Sequence, residues 1–190
     1  MSIVIVDSGG ANLTSIKNAF EKISSQAVVS IDKNIISNAD DVILPGVGSA
    51  QMVMQSLISN NLVNVIKSLT QPVLGICVGM QILFNSSEEH NCKCLGLIND
   101  DIKKFNLPND KAVPHMGWNK VIFESEQLLS NYYYFANSYY APITKDTTGI
   151  CEYGIEFSAT VQKDNFFGCQ FHPEKSSNSG IKFIQNFLNY

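Results

Sequence analysis

The sequence predicts a three-layer α/β domain, with a mostly parallel central sheet between helices and an antiparallel extension. Three observations carry this reading. In the first half, short apolar runs rich in β-branched residues alternate with helical patterns. Two of those runs end in glycine-bearing turns. The second half is dense in strand-like segments, some joined by short turns such as Lys163-Asp164-Asn165, which is the pattern of hairpins.

The elements follow in order. Residues 3–7 form a first strand ending at Asp7, and Asn12 is placed to cap a helix with Leu13, Ile16, Phe20 and Ile23 on one face. Ala27 to Ile31 and Asp41 to Leu44 are the next strands, the latter stopping at Pro45-Gly46-Val47-Gly48. Ser49 opens a helix with Met52, Leu57 and Ile58 apolar, and another helical stretch spans Leu62 to Leu69. Pro72 precedes the strand Val73 to Ile76, and Met80, Ile82 and Leu83 begin a helix after it. This order requires crossover connections, hence parallel strands covered on both faces. Val113 to Phe123, Tyr132 to Tyr140, Gly149 to Tyr153, Phe157 to Gln162 and Phe166 to Phe171 read as strands. A helix from about Ser179 to Leu188 closes the chain, and residues 85–94 and 106–112 read as loops.

Length favours one domain over residues 1–190, large enough to bury roughly 70% of the unfolded chain's surface. A net charge of −4 and a pI of about 5.3, with Lys103-Lys104 the one adjacent basic pair, offer nothing to a nucleic-acid backbone. No apolar run approaches the ~20 residues of a membrane span. The residues Met1 to Asp7 lack a positive leader, and five irregularly spaced cysteines favour reduced thiols in a cytoplasm. His90, Cys92 and Cys94 lack the wider spacing and second ligand pair of a zinc site. They read as a loop with two unrelated thiols, and neither metal nor cofactor is expected.

The chemistry-bearing segment is Gly75-Ile76-Cys77-Val78-Gly79, the Gly-x-nucleophile-x-Gly form of a strand-to-helix elbow. Small residues two places either side let the chain make the tight turn. The thiol then lies at a helix N-terminus, where N–H groups favour thiolate. A buried structural cysteine beside two packing glycines is the alternative. A thiol nucleophile needs a base and an orienter. His172 sits at a strand end before Pro173, and Glu174 lies two residues on, so in extended chain both side chains point to one side. A strand-end histidine capped by a carboxylate is the plainer reading. Parallel strands share one rim, which brings Cys77 and His172 together. Backbone N–H groups of Gly46, Val47 and Val78 are placed to meet a developing oxyanion; a simple βα turn is the alternative for the first two.

Together these pieces resemble the class I (triad) glutamine amidotransferases, whose signature is the cysteine elbow, a downstream His-x-Glu and a glycine loop. The resemblance implies a flavodoxin-like sheet. It narrows on Asp7 with Gly10-Ala11-Asn12-Leu13, on Gly75-Ile76-Cys77-Val78-Gly79-Met80-Gln81, on Val113-Pro114-His115-Met116-Gly117-Trp118-Asn119 and on Gln170-Phe171-His172-Pro173-Glu174-Lys175-Ser176. These look like the family of glutaminase subunits of imidazole glycerol phosphate synthases, in histidine biosynthesis.

That resemblance implies the following. Cys77 attacks the L-glutamine amide, His172 held by Glu174 moves the protons, and water releases glutamate from a thioester. The Pro45–Gly48 segment supplies an oxyanion N–H after a rearrangement driven by the partner. Gly48, Gly79, Gln81, Glu89, Ser138 and Tyr139 hold glutamine. The partner of this heterodimer is a (β/α)8-barrel cyclase that uses the ammonia to form imidazole glycerol phosphate and an aminoimidazole carboxamide ribotide. Asn12, Met116, Trp118 and Lys175 face it. A partner also has an independent rationale, because ammonium has no lone pair to attack with and a dry passage preserves ammonia.

One departure stands out. Members of the family commonly carry Phe-Val-His-Ser-Tyr where this chain has Phe135-Ala136-Asn137-Ser138-Tyr139. Three readings compete with the leading one: a related glutaminase feeding another synthase, such as one that aminates a surface sugar; a catalytically silent structural subunit; and, more widely, a triad hydrolase of the same fold acting on another amide or peptide. Intact Cys77, His172 and Glu174 argue against the second.

Overall fold

The computed structural model describes residues 2–9, 12–23, 27–46, 48–107, 111–123 and 130–190. Its first half runs β1 (Ile3–Val6), α1 (Leu13–Glu21), β2 (Ala27–Ser30), α2 (Lys33–Ser37), β3 (Asp41–Leu44), α3 (Ala50–Ser59), α4 (Val63–Lys67), β4 (Val73–Ile76) and α5 (Val78–Gln81). The second half runs β5 (Ser86–Ser87), β6 (Cys92–Lys93), β7 (Asp101–Lys104), β8 (His115–Phe123), β9 (Asn131–Asn137), β10 (Tyr139–Tyr140), β11 (Thr147–Glu152), β12 (Glu156–Lys163), β13 (Phe166–Cys169) and α6 (Ser177–Leu188).

A nine-stranded sheet in the order β2-β1-β3-β4-β13-β12-β11-β8-β9 dominates the architecture. Its first five strands are parallel. The remaining four continue it antiparallel. Every residue of β1, β3 and β4 is buried. Successive side chains of a strand face opposite ways, so both sheet faces are covered, as the alternating strands and helices require. Phe20, Ile36 and Leu57 pack from the helices into this core, each worth about 1.5–3 kcal/mol when fully buried.

Ser49 caps α3, its Oγ accepting from the Met52 N–H at 3.2 Å. The buried face of α3 is Ala50, Val53, Met54 and Leu57. Of the apolar residues noted in this helix, Leu57 is buried, while Met52 and Ile58 are 54% and 60% exposed. Asn12 precedes α1 with φ of 90° and makes no side-chain cap; its amide goes elsewhere. α2 has no counterpart among the expected elements, although Asp32 is a good N-cap and accepts from the N–H groups of Asn34 and Ile35.

Residues 85–94 are not simply a loop. With β7 and β10, the short β5 and β6 build a second sheet in the order β10-β7-β5-β6. Cys92 and Cys94 are buried there rather than lying on a surface loop. The expected single strand Tyr132 to Tyr140 is broken at Ser138, where the Asn137 amide donates to the Tyr139 carbonyl at 2.9 Å. The Ser138 carbonyl accepts from the Phe105 N–H at 3.0 Å. The chain thus passes from the large sheet to the small one within three residues.

Candidate active site

The elbow forms because glycines allow it. A Cβ at Gly75 would run into the backbone of Gly79, and one at Gly79 into the Leu44 carbonyl. A Cβ on Gly46 would strike Gly79 and Val78, so the Pro45-Gly46 turn presses directly on the elbow. Ser8 Oγ donates to the Pro45 carbonyl at 3.1 Å and pins that turn. Cys77 takes φ 55°, ψ −110°, a conformation costly for a non-glycine residue and concentrated at functional sites. Its N–H donates to the Cys169 carbonyl at 2.8 Å, tying the end of β4 to the end of β13.

That tie explains the meeting of distant residues. In the parallel register Cys169 pairs with Ile76, so the chain leaving β13 carries His172 to the sulfur. There the two side chains are close enough for Cys77 to act on the titration of His172. His172 Nδ1 lies 2.9 Å from Glu174 Oε1, which leaves Nε2 for Cys77. Both side chains of this pair are nearly inaccessible, at 6% and 1%. Glu174 reaches back from a short 3-10 turn, Pro173–Lys175, not from the extended chain expected from the sequence. Asn12 Nδ2 donates to Glu174 Oε1 at 3.4 Å.

The backbone around the imidazole is equally held. The His172 N–H donates to the Tyr134 carbonyl at 2.8 Å. Ser176 Oγ donates to the His172 carbonyl at 2.7 Å and accepts from the Tyr134 N–H at 2.9 Å. Burial pulls the His172 pKa down, but the hydrogen bonds and charges of Cys77 and Glu174 outweigh it and push the pKa up to about 10. The arrangement can therefore draw the thiol proton onto an imidazole whose cationic form has a carboxylate behind it.

Cys77 opens on a cavity of about 140 Å³. Of the residues expected to hold substrate, Gly48, Gln81, Glu89, Ser138 and Tyr139 line it. Gly79 does not; it is packed against Leu44 and Pro45 behind the elbow. Val78, Ala136 and Asn137 complete the wall. Glu89 is braced at the rim, its Oε2 accepting from the Ala50 N–H at 2.8 Å and its own N–H donating to Ser87 Oγ at 3.1 Å. The expectation for Val47 lies outside the described residues. Asn137 and Gln170 were not singled out as site residues by sequence, since neither belongs to a nucleophile–base pattern. Gln170 Nε2 lies 3.6 Å from Cys77 Sγ.

The remaining expectations concern an outer face. Met116 and Trp118 alternate on β8 and are 63% and 51% exposed. Tyr134, paired with Trp118 across the strands, meets its ring edge-on at 6.3 Å, and Lys175 Nζ lies 5.8 Å over the same tyrosine ring. Asn12 is turned inward to Glu174. His115, from the same segment as Trp118, is instead a core residue stacked between Phe135 and Tyr153. Burial, then Lys111, lowers its pKa to about 4. Among the described residues no group of three or more His, Cys, Asp or Glu could hold a metal ion, and no helix is long and apolar enough to cross a membrane.

Residues 4–189 match the family model for class-I glutamine amidotransferases. The imidazole glycerol phosphate synthase subunit HisH of Shewanella sediminis is 46% identical over 197 residues, covering 98% of this chain and 90% of the relative. The Escherichia coli K12 subunit HisH is 45% identical over 198 residues, covering 99% of each. A solved glutamine amidotransferase superposes with a TM-score of 0.77 over 98% of this chain and 97% of its own, at 14% identity. One from Thermotoga maritima gives 0.62 over 100% and 83%, at 13% identity. At such identities the two solved structures speak for the fold alone.

Proposed function

The chain belongs to the class-I glutamine amidotransferases, and on that premise we propose that it is the glutaminase subunit of an imidazole glycerol phosphate synthase in histidine biosynthesis. It hydrolyses glutamine and delivers ammonia to a cyclase partner. The single observation that carries the catalytic part of this reading is the arrangement at the ends of β4 and β13: the strained Cys77 opens on a cavity, and the chain leaving β13 brings it the buried His172, backed by Glu174 at 2.9 Å.

The chemistry then runs as follows. Glutamine enters the cavity with its amide carbon beside Cys77. Glu89, a carboxylate on the wall, suits the α-ammonium, and the backbone at Gly48, Ser138 and Tyr139 suits the polar remainder of the substrate. With its proton already passed to His172, the sulfur adds to the amide carbon. The N–H of Val78, directly after the nucleophile, stabilises the oxyanion, joined by those of Gly46 and Val47 after a rearrangement of the Pro45–Gly48 segment driven by the partner. His172 returns the proton to nitrogen and ammonia leaves, with a Cys77 thioester remaining. Water attacks that thioester, His172 again carrying the proton, and glutamate departs. Glu174 fixes the tautomer of His172 and balances its charge, as the third member of a triad does.

The exposed Met116 and Trp118, with Lys175 beside them, are the surface we assign to the (β/α)8-barrel cyclase, and Asn12 bridges from that edge to Glu174. Aromatic anchors of this kind concentrate interface energy. We place the heterodimer in the cytoplasm and treat residues 1–190 as one glutaminase domain.

The test is ammonia release from glutamine by the chain alone and in complex with the cyclase, together with labelling by a thiol-directed glutamine analogue. We expect release to rise strongly in the complex, with the label on Cys77. No release in the assembled complex would overturn the assignment.

A further inference from the structure

Gln170 has no part in the triad, yet it touches the sulfur. It follows β13 and is fully buried. Its carboxamide lies between Cys77 and Gln81, and elementary chemistry fixes which way it faces. The Tyr139 carbonyl can only accept, so Gln81 turns Nε2 toward it, at 3.1 Å. The second hydrogen of that nitrogen reaches Gln170, at 2.9 Å, so Gln170 presents Oε1 there. Its Nε2 is thereby left facing Cys77 Sγ at 3.6 Å. Asn137 Nδ2 donates to the same Tyr139 carbonyl at 2.9 Å. A line of amides thus runs from the cavity wall to the nucleophile.

We propose that Gln170 is a positioning residue for the nucleophile: its Nε2 donates to Cys77 Sγ, aims the sulfur and stabilises the thiolate, while Gln81 locks the amide in that orientation. The inference rests on the reading of Cys77 as nucleophile. A buried thiolate without donors is costly. A hydrogen bond given to the charged form favours that form, and such charge-assisted bonds are stronger than neutral ones. His172 supplies the proton acceptor; once it has taken the proton, Gln170 is a second donor to the sulfur. Linked amides also polarise one another, so Gln81 strengthens the bond that Gln170 gives.

Two variants in complex with the cyclase test this. Gln170→Met keeps length and approximate volume but removes the donor. Gln170→Leu removes the donor with a second neutral side chain. The measurements are the pH profile of Cys77 alkylation by iodoacetamide, read by mass spectrometry, and kcat and KM for glutamine. We expect the alkylation midpoint of Gln170→Met to rise by about one pH unit and kcat to fall about tenfold or more. KM should change less than about threefold, with ammonium-driven synthesis retained. An unmoved midpoint with a raised KM would show that Gln170 merely braces Gln81, and would overturn the proposal. If Gln170→Met does not assemble, Gln170→Leu gives the same readout; failure of both, seen as lost ammonium-driven synthesis, marks Gln170 as structural and also overturns it. An unlabelled Cys77 in the wild-type complex would instead overturn the nucleophile assignment beneath it.

Discussion

Ile76 and Cys169 stand opposite one another on the parallel neighbours β4 and β13. One residue beyond Ile76 is the sulfur; three beyond Cys169 is the imidazole. The active-site geometry is thus a property of strand register, and a one-residue slip would separate the pair.

Replacing the nucleophile separates chemistry from fold. Cys77→Ala is expected to lower glutamine-dependent synthesis by about four orders of magnitude or more, with synthesis from ammonium salts intact. Steady-state assays with each nitrogen source check this. Loss of both activities would make Cys77 structural.

The raised His172 pKa has a consequence for stability. The folded value, about 10, lies above the ~6.5 of an unfolded histidine. The folded state therefore binds this proton more tightly, and the resulting stabilisation is fully present below about pH 6.5 and fades as pH climbs toward 10. Urea melts of the wild type should lose on the order of a few kcal/mol across that window. The decline should shrink in Cys77→Ala, where one of the two groups raising the pKa is gone. An equal decline in both proteins would count against the contact.

The outer face gives a binding prediction. Trp118→Ala should weaken association with the cyclase about tenfold or more, as truncating an aromatic anchor does. Folding stability should move by no more than about 0.5 kcal/mol, since the ring is half exposed. Titration calorimetry and thermal melts separate the two effects. Undiminished affinity would move the interface elsewhere.

Asn137 holds the turn that carries Ser138 and Tyr139. Asn137→Ala should raise KM for glutamine about fivefold, the scale of one hydrogen bond, with a smaller effect on kcat. A change confined to kcat would argue that Asn137 acts on the chemistry rather than on the pocket wall.

Much of this was legible in the sequence where spacing alone dictates structure. Gly75 and Gly79 around Cys77 announced an elbow, and the steric reason is now visible in Leu44 and the packed turn. The pairing of His172 with Glu174 was readable too, but for a different reason: a 3-10 turn, not strand alternation, brings the carboxylate back. The small sheet was not readable. Strands of two residues, such as Ser86–Ser87 and Cys92–Lys93, have no period to detect, and they exist only because β7 is there to pair with. Gln170 escaped for a similar reason, since what a buried amide touches is decided by tertiary contacts far away in sequence.

All five cysteines are reduced and buried, yet Cys77 alone lines the cavity described here. Burial also raises the pKa of Cys92, Cys94, Cys151 and Cys169, keeping them as poorly reactive thiols. A colorimetric disulfide reagent should consequently register a single fast equivalent per native chain and five after denaturation. The ratio of the two readings would gauge, in one cuvette, what fraction of a preparation is correctly folded.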